Sequence, residues 1–534
     1  MFKNLSAYVF ALIFSQSLFA QNAVQIDFEA DYNSIDQELE EESFRPAYAH
    51  LIAKDLDLQE YLLMDASGTQ RELRLILNSE KALGIAPYFE ELQIPKSGKL
   101  WFESLDGKLI SGPYQSDLNA DGGSYMFPLS LSSSLVMRYT QAALDLAPKL
   151  KLAGLAHAFR DVAFAPVSAR RDFGDSKSCQ VNINCSEGSA WQDQSKAVMR
   201  ISVKVGSDFF WCTGSLVNNT NQDCKPYVLT ADHCGDGASS ADLNDWVFYF
   251  QYESANCSNP SSEGALANKS ITGCSLKANT GGAGDTDSDF YLVELSQEVP
   301  QFYNPFFAGW DRRGVTSPSG VSIHHPSGDI KKISTYGASM VSDSWGGTVQ
   351  NTHWTINWLA SANGHGVTES GSSGSPIFND EGQVMGMLTG GLSDCTAGGG
   401  SGPDEPDSYG KFSYAWESEG SQNSKQLKPW LDPMNSGLTQ IDGIAWPCLE
   451  DPLTGIELEN ESQEFGFYPN PVSNQLNWTI PNISSIHLIG LDTREYAIHV
   501  QNNSADLSEL AAGVYLVRLF DNAGKIYQSK IVKQ

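Results

Sequence analysis

In the first third of the chain apolar side chains recur at every second position: Leu73, Leu75 and Leu77, then Leu100 and Phe102. A period of two puts such residues on one face of a strand. Gly98, Asp106-Gly107 and Asp121-Gly122 break the runs as turns, so residues 21–171 are predicted to form a small β-rich domain. Further on, Tyr227–Ala231 and Phe290–Leu295 are short, nearly continuous apolar runs that suit buried strands. Near the end, Gly513-Val514-Tyr515-Leu516-Val517-Arg518-Leu519 and Lys530-Ile531-Val532-Lys533-Gln534 read as strands of a small β-sandwich over residues 465–534. Residues 446–464, acidic and without pattern, read as a linker. At the N-terminus Lys3, the apolar run Ala7–Phe14 and the small residue Ala20 mark residues 1–20 as a signal peptide, too short and too early for an anchor. No other stretch approaches the roughly 18 apolar residues of a membrane span. The chain is therefore expected to be mainly β, exported and without a membrane span.

Charge narrows the partners. With 34 Lys and Arg against 64 Asp and Glu the net charge is −30, which argues against binding nucleic acid or anionic membranes and favours cationic substrates. Nine cysteines in an exported chain imply disulfides. Eight of them (Cys179, Cys185, Cys212, Cys224, Cys234, Cys257, Cys274 and Cys395) fall in the middle of the chain. Cys448 is the odd one, in the linker, and is expected to be free.

The chemistry centres on Glu369-Ser370-Gly371-Ser372-Ser373-Gly374-Ser375-Pro376. Glycines at 371 and 374 allow a sharp turn that exposes the Ser373 hydroxyl and lets the amides of Gly371 and Ser373 face a developing oxyanion. His233 ends one apolar run beside Cys234, and Asp289, with Asp287 as its rival, stands before another. A histidine to take the serine proton and a carboxylate to hold that histidine complete a nucleophilic triad in the order His233, Asp289, Ser373.

That order resembles the chymotrypsin-like serine endopeptidases. Over about residues 174–445 the chain resembles their bacterial lysyl endopeptidase branch in particular. The text that carries the resemblance is Cys212-Thr213-Gly214-Ser215-Leu216-Val217-Asn218-Asn219, Ala308-Gly309-Trp310-Asp311-Arg312-Arg313, Ile323-His324-His325-Pro326, Gly366-Val367-Thr368-Glu369 and Trp430-Leu431-Asp432-Pro433. The resemblance implies a protease domain over 172–445 built as two six-stranded β-barrels, acting on protein or peptide substrates without a cofactor or metal. It implies the bridges Cys179–Cys395, Cys185–Cys257 and Cys212–Cys234. Cys224 and Cys274, left over, are then paired by elimination.

The acid that trypsin-like relatives carry six residues before the nucleophile is Val367 here. The lysyl endopeptidase pattern, an Asp followed by one residue, Tyr and Gly, corresponds to Asp407-Ser408-Tyr409-Gly410 and implies cleavage after lysine, perhaps also arginine, with Asp407 as the pocket acid. Trp345, Glu369, Thr389 and Gly391 match further substrate-side positions. Thr389 stands where the branch has a histidine stacked on a tryptophan; Trp345 matches that tryptophan, so its partner is expected to be missing. Ser372 replaces the aspartate that binds a new N-terminal amine in many zymogens of the wider family, so activation by an inserted amine is not expected.

Position between signal and protease makes 21–171 a pro-region, with a retained accessory domain as the alternative, and dibasic Arg170-Arg171 puts the first residue of the mature enzyme between Asp172 and Gly174. Phe467-Tyr468-Pro469-Asn470-Pro471 with the terminal strands resembles the C-terminal sorting domain of the type IX secretion system. It implies that system's machinery as a partner and delivery to the cell surface or the medium. A monomer is expected. His324-His325 is read as structural, since adjacent strand side chains point apart and no HExxH pattern is present. The acids Asp285, Asp287 and Asp289 lack calcium-loop spacing. A catalytically inactive protease fold used as a surface adhesin is the competing function.

Overall fold

The structure, a computed structural model, describes residues 23–35, 46–120, 122–159, 176–260, 269–281, 287–346, 349–448 and, with gaps, 467–533. The signal peptide, the Arg170-Arg171 processing region, Asp285 and most of the linker lie outside the described residues.

The alternation of Leu73, Leu75 and Leu77 does form one buried strand face, on Gln70–Asn78. That strand pairs antiparallel with Ser134–Ala142, whose Leu135, Met137 and Tyr139 are buried on the same side. Lys99–Glu103 and Leu109–Tyr114 extend this sheet on one edge and Val24–Asp27 on the other. A second sheet runs Ala49–Asp57, Lys149–Ala158, Gly84–Gln93, Tyr125–Met126, and a core that includes Phe89, Leu100, Phe102 and Leu152 fills the space between the two sheets. The second sheet does not stop at the domain edge. His50 pairs with Asp208 and Ala49 with Phe209, so it continues into the segment that follows residue 176.

There the strands close a barrel. Val198–Val205 pairs with Asp208–Leu216, which pairs with Tyr227–Ala231, which pairs with Phe290–Leu295, which pairs with Cys274–Asn279. On the other side Val198–Val205 pairs with Val247–Phe250, and that strand with Ser270–Thr272. Only Gly273 separates Ser270–Thr272 from Cys274–Asn279. Its N–H donates to Trp246 O at 2.8 Å and its C=O accepts from Ser296 N at 3.0 Å, which closes the ring.

The second barrel runs Lys332–Tyr336, Gly320–His324, Pro376–Asn379, Val384–Gly391, Asp407–Lys411, His353–Ile356, and Leu359 N–H to Thr335 O at 2.8 Å spans the remaining gap. Ile356, Val367, Ile377, Leu388 and Tyr409 pack inside it. The fold is thus mainly β and chymotrypsin-like in its two antiparallel barrels.

Bridges join Cys179–Cys395, Cys185–Cys257 and Cys212–Cys234. The pairing of Cys224 with Cys274 is overturned. Cys224 is bridged to Cys448, and Cys274 is a buried free thiol. Cys274 lies on a strand of the first barrel, whereas Cys224 sits in a left-handed turn outside the strands, with φ 58°. Ile444–Ala445 pairs with Phe306–Phe307 and carries the chain back to that turn, so Cys448 belongs to the first compact unit, which runs to Leu449. The presumed linker starts later than its composition indicates.

The C-terminal unit has one sheet in the order Glu495–Ile498, Ile483–Gly490, Gly513–Asp521, Ile526–Lys533 and another of four short strands. Leu476, Trp478, Ile486, Leu488, Val517 and Ile531 are among the side chains of a single core.

Candidate active site

Strand register builds the histidine–aspartate pair. Tyr227–Ala231 and Phe290–Leu295 run antiparallel with Ala231 opposite Phe290, so the residues just beyond the first strand and just before the second meet at one end of the sheet. His233 lies in the helical turn Asp232–Gly235 and Asp289 immediately precedes Phe290. His233 Nδ1 is 2.7 Å from Asp289 Oδ2, and the His233 N–H donates to Oδ1 at 2.9 Å. One carboxylate thus fixes both the ring and the backbone of the histidine. Asp289 is fully buried and left-handed, with φ 56°. Two contacts support this turn: Asp287 Oδ1 accepts from Asp289 N at 3.0 Å, and Glu419 Oε1 accepts from Ser288 N at 2.8 Å and Ser288 Oγ at 2.5 Å. Asp287 therefore caps the turn, and the bond to His233 goes to Asp289. Burial, with Asp287 and Asp232 nearby, pushes the Glu419 carboxyl up to about 7.

The serine loop is a pair of tight turns, Ser372 N to Glu369 O and Ser375 N to Ser372 O, both 2.9 Å. Its Ser373 C=O accepts from Thr213 N at 2.8 Å and lies 3.7 Å from Sγ of Cys234, the residue beside His233. Ser373 is thereby seated against the disulfide that pins the histidine turn. Gly374 has φ 79°, and a Cβ there would stand 2.1 Å from Thr230 Oγ1 and 2.7 Å from Ala231 N, so only glycine lets the two barrels approach this closely. At Gly371, φ is 91° and a Cβ would meet Gly328 N at 2.8 Å. Ser370 C=O accepts from Ser327 N at 2.6 Å. Because C=O and N–H of a trans peptide point opposite ways, this bond turns the Gly371 N–H away from Ser327.

His324 and Ser372 replace the missing aspartate with a neutral line. Ser372 Oγ is 2.8 Å from His324 Nδ1, His324 Nε2 is 2.9 Å from Ser334 Oγ, and Ser334 Oγ donates to Val367 O at 3.5 Å. The imidazole is fully buried, and burial beside Lys332 holds its pKa down to about 3. His325 Nδ1 bonds Asp329 O at 2.9 Å. Neither histidine could be assigned this place from sequence spacing alone.

Beyond the serine loop, Asp407 is 1% exposed. Its Oδ2 accepts from Trp358 Nε1 at 2.6 Å, Ser393 Oγ at 2.6 Å and Thr368 Oγ1 at 2.8 Å, while Oδ1 accepts from Ser393 N at 3.2 Å. Oδ1 lies against the bare Cα of Gly391, where a Cβ would come within 1.9 Å. Burial raises the carboxyl above the ordinary range. Glu369 turns elsewhere. Its carboxylate accepts from Gln180 Nε2 at 2.6 Å, Ser327 Oγ at 2.9 Å and Lys177 N at 3.1 Å, which makes it a brace for the N-terminal segment of the barrels.

No histidine stacks on Trp345 among the described residues, but one lies near it, tilted by 35°. The ring of His353, on a neighbouring strand, lies 6.3 Å from that of Trp345, and His353 Nε2 is 3.0 Å from Thr389 Oγ1. Burial, partly offset by the charge of Asp289, holds the His353 pKa down to about 4.

The two β-barrels thus bring a buried His–Asp pair and a glycine-flanked serine loop together at their junction. Residues 173–410 match the family described as lysyl endopeptidase, C-terminal domain, and residues 466–534 match the secretion system C-terminal sorting domain. The chain is similar to the lysyl endopeptidase of Pseudomonas aeruginosa, 32% identical over 243 residues, 43% of this chain and 48% of that protein. It spans about half the length of that curated relative. Among solved structures it is similar to the protease Anisep from Arthrobacter nicotinovorans, with 19% identity over 40% of this chain and 90% of that one and a TM-score of 0.28. The secreted serine protease VesC from Vibrio cholerae has 13% identity over 64% of this chain and 69% of that one, also with a TM-score of 0.28. The sorting domain marks the chain for export through the type IX system to the cell surface or the medium.

Proposed function

We propose that this chain is a secreted serine endopeptidase that cuts proteins after lysine, with His233, Asp289 and Ser373 as its catalytic residues. The observation that carries the reading is the double grip of Asp289 on His233 Nδ1 and N, at the point where the disulfide partner of Cys212 meets the Ser373 carbonyl. In this reading Ser373 Oγ attacks the scissile carbonyl while His233 Nε2 takes its proton. Asp289 holds the imidazolium, and the tetrahedral oxyanion is met by the N–H groups of Gly371 and Ser373. His233 then gives the proton to the leaving amine, which departs with the C-terminal half of the substrate and leaves an acyl-enzyme on Ser373. Water, deprotonated by the same histidine, releases the acid and restores the serine.

Lysine preference rests on Asp407. Three donors converge on Oδ2 and only one on Oδ1, which packs against the bare Cα of Gly391, so an ammonium reaching Oδ1 supplies the positive charge that the buried carboxylate otherwise lacks. A fluorophosphonate reacts only with an activated serine. Labelling of Ser373 in the wild type, loss of label and of casein hydrolysis in Ser373→Ala, and an unchanged unfolding midpoint are expected. Loss of a triad member lowers turnover by roughly 10⁴- to 10⁶-fold. A wild type that neither labels nor hydrolyses protein favours the adhesin instead.

A further inference from the structure

The peptide between Ser370 and Gly371 is held from behind by the Ser327–Gly328 turn, and contacts lead from that turn to the N-terminal domain. Gly328 C=O accepts from Arg200 Nη1 at 2.8 Å. Its Cα lies under the indole of Trp211, where a Cβ would stand 2.5 Å from Cδ1. The Arg200 guanidinium lies over three rings, 3.5 Å from Tyr252, 4.2 Å from Trp211 and 4.3 Å from Tyr249. Tyr48, from the N-terminal domain, completes the stack: its ring is 4.1 Å from Trp211 and 6° from parallel, and its hydroxyl is 2.7 Å from Ser202 Oγ.

The backbone fixes Tyr48 there. Tyr48 N donates to Phe209 O and Leu51 N to Ser207 O, both at 2.8 Å, and the His50–Asp208 and Ala49–Phe209 pairs lie between them. The same face is tied elsewhere by Leu129 N to Tyr249 Oη and by Thr272 Oγ1 to Met126 O, each 2.9 Å. Phe209, Trp211, Val247 and Tyr249 form one buried cluster with Met126 and Leu129. This is an apolar face with a strand added at its edge, the form in which chains dock durably.

We propose that the N-terminal domain is a working part of the protease, staying docked on the first barrel whether or not the 160–175 segment is cut, and that Tyr48 is a positioning residue for the oxyanion peptide. The inference rests on the assignment of Gly371 N–H as an oxyanion donor. Such a donor acts because it is fixed before charge develops. Tyr48 holds Trp211, Trp211 and Arg200 hold Gly328, and Ser327 holds the Ser370 carbonyl. A loosened stack lets that peptide drift, and a misplacement of about 1 Å costs on the order of 10²-fold in rate.

The test uses the full chain as purified, with Tyr48→Ala, Tyr48→Phe and Arg200→Lys. Fluorophosphonate labelling counts reactive sites, and casein hydrolysis gives kcat and KM per labelled site. Tyr48→Ala and Arg200→Lys are expected to lower kcat per site about tenfold or more with KM within about twofold, while Tyr48→Phe, which keeps the stack, rescues. In native size exclusion the N-terminal domain and the barrels are expected to elute together even where a denaturing gel separates them. Full kcat per site in both Tyr48→Ala and Arg200→Lys overturns the inference, even with fewer sites, since that is the signature of a role in folding alone. Barrels that elute alone at full activity overturn it as well. A wild type that neither labels nor cleaves brings down the protease reading with it and is distinguished by that result.

Discussion

Asp407→Asn changes one atom and asks whether the buried carboxylate reads a lysine. The side chain is 1% exposed, so its charge is not replaced by water. Three donors, from Trp358, Thr368 and Ser393, fix the Oδ2 position as an acceptor. The asparagine must keep its oxygen there, which puts its NH₂ at the Oδ1 position beside Gly391 and 3.2 Å from the Ser393 N–H. A donor then faces both that N–H and the incoming ammonium. Removing one partner of a buried charge pair costs about 2–5 kcal/mol. At about 1.4 kcal/mol per tenfold, kcat/KM for a lysyl amide is expected to fall roughly 30- to 3,000-fold. A substrate with a norleucine P1 side chain, which has the stem of lysine without its charge, should change less than about tenfold, because the triad is untouched. Steady-state kinetics on the pair, with circular dichroism to confirm the fold, make the comparison. Equal losses on both substrates, or retained lysyl activity, refute Asp407 as the pocket acid. The raised carboxyl adds a pH signature: KM for the lysyl substrate should fall as pH rises through a range above that of an ordinary aspartate, and KM for norleucine should not.

Non-reducing peptide mapping should recover Cys224 linked to Cys448, with Cys274 alkylated only after denaturation; a Cys224–Cys274 peptide would contradict the structure. Glu419 has a folded pKa of about 7 against 4.5 for the free side chain, so its stabilising contribution is whole below 4.5 and is lost as pH rises through 7. Relative to wild type, Glu419→Gln should gain up to about 3 kcal/mol in urea unfolding between pH 5 and pH 8, less what solvent at its rim screens; a pH-independent difference refutes the burial argument. Gly374→Ala drives a methyl into Thr230 Oγ1 and Ala231 N at φ 79°, and should destabilise by several kcal/mol, on the order of 3 or more, with loss of fluorophosphonate labelling. A labelled, wild-type-stable Gly374→Ala would show that the barrels do not close on the serine loop as described.

What the sequence made legible is what neighbours in the chain decide. Alternation along Gln70–Asn78 and the apolar run Tyr227–Ala231 are local signals, and the strands lie where those signals put them. The choice between Asp287 and Asp289 follows from the acid that abuts Phe290, because register carries that residue to His233. His353 gave no such signal. It reaches Thr389 because His353–Ile356 and Val384–Gly391 flank the same strand, Asp407–Lys411, and that pairing is a property of the folded barrel. The bridge of Cys224 to Cys448 needs the end of the first compact unit to return across Phe306–Phe307, and acidic composition after Trp446 hides it. The strand that the N-terminal domain adds to the first barrel is a two-residue ladder with no side-chain code of its own.

The replacement of an activation aspartate by Ser372 has a structural consequence that runs through the loop. An aspartate at that position would need a buried cation beside it, since an unpaired carboxylate there costs several kcal/mol. Ser372 needs none. Its hydroxyl meets a His324 ring kept neutral by burial, the far side of that ring meets Ser334, and Ser334 reaches the carbonyl of Val367 on the loop's own approach. Glu369 draws the N-terminal segment in through Lys177 N and Gln180, and those contacts are made by residues downstream of the start, between Asp172 and Gly174, predicted for the mature chain. The order of the serine loop therefore depends on groups that are in place before any new amine is made. On the proposed reading a new amine has no activating part to play, and the Tyr48–Trp211 stack, which reaches Gly328 through Trp211 and Arg200, is the contact by which the N-terminal domain bears on that loop.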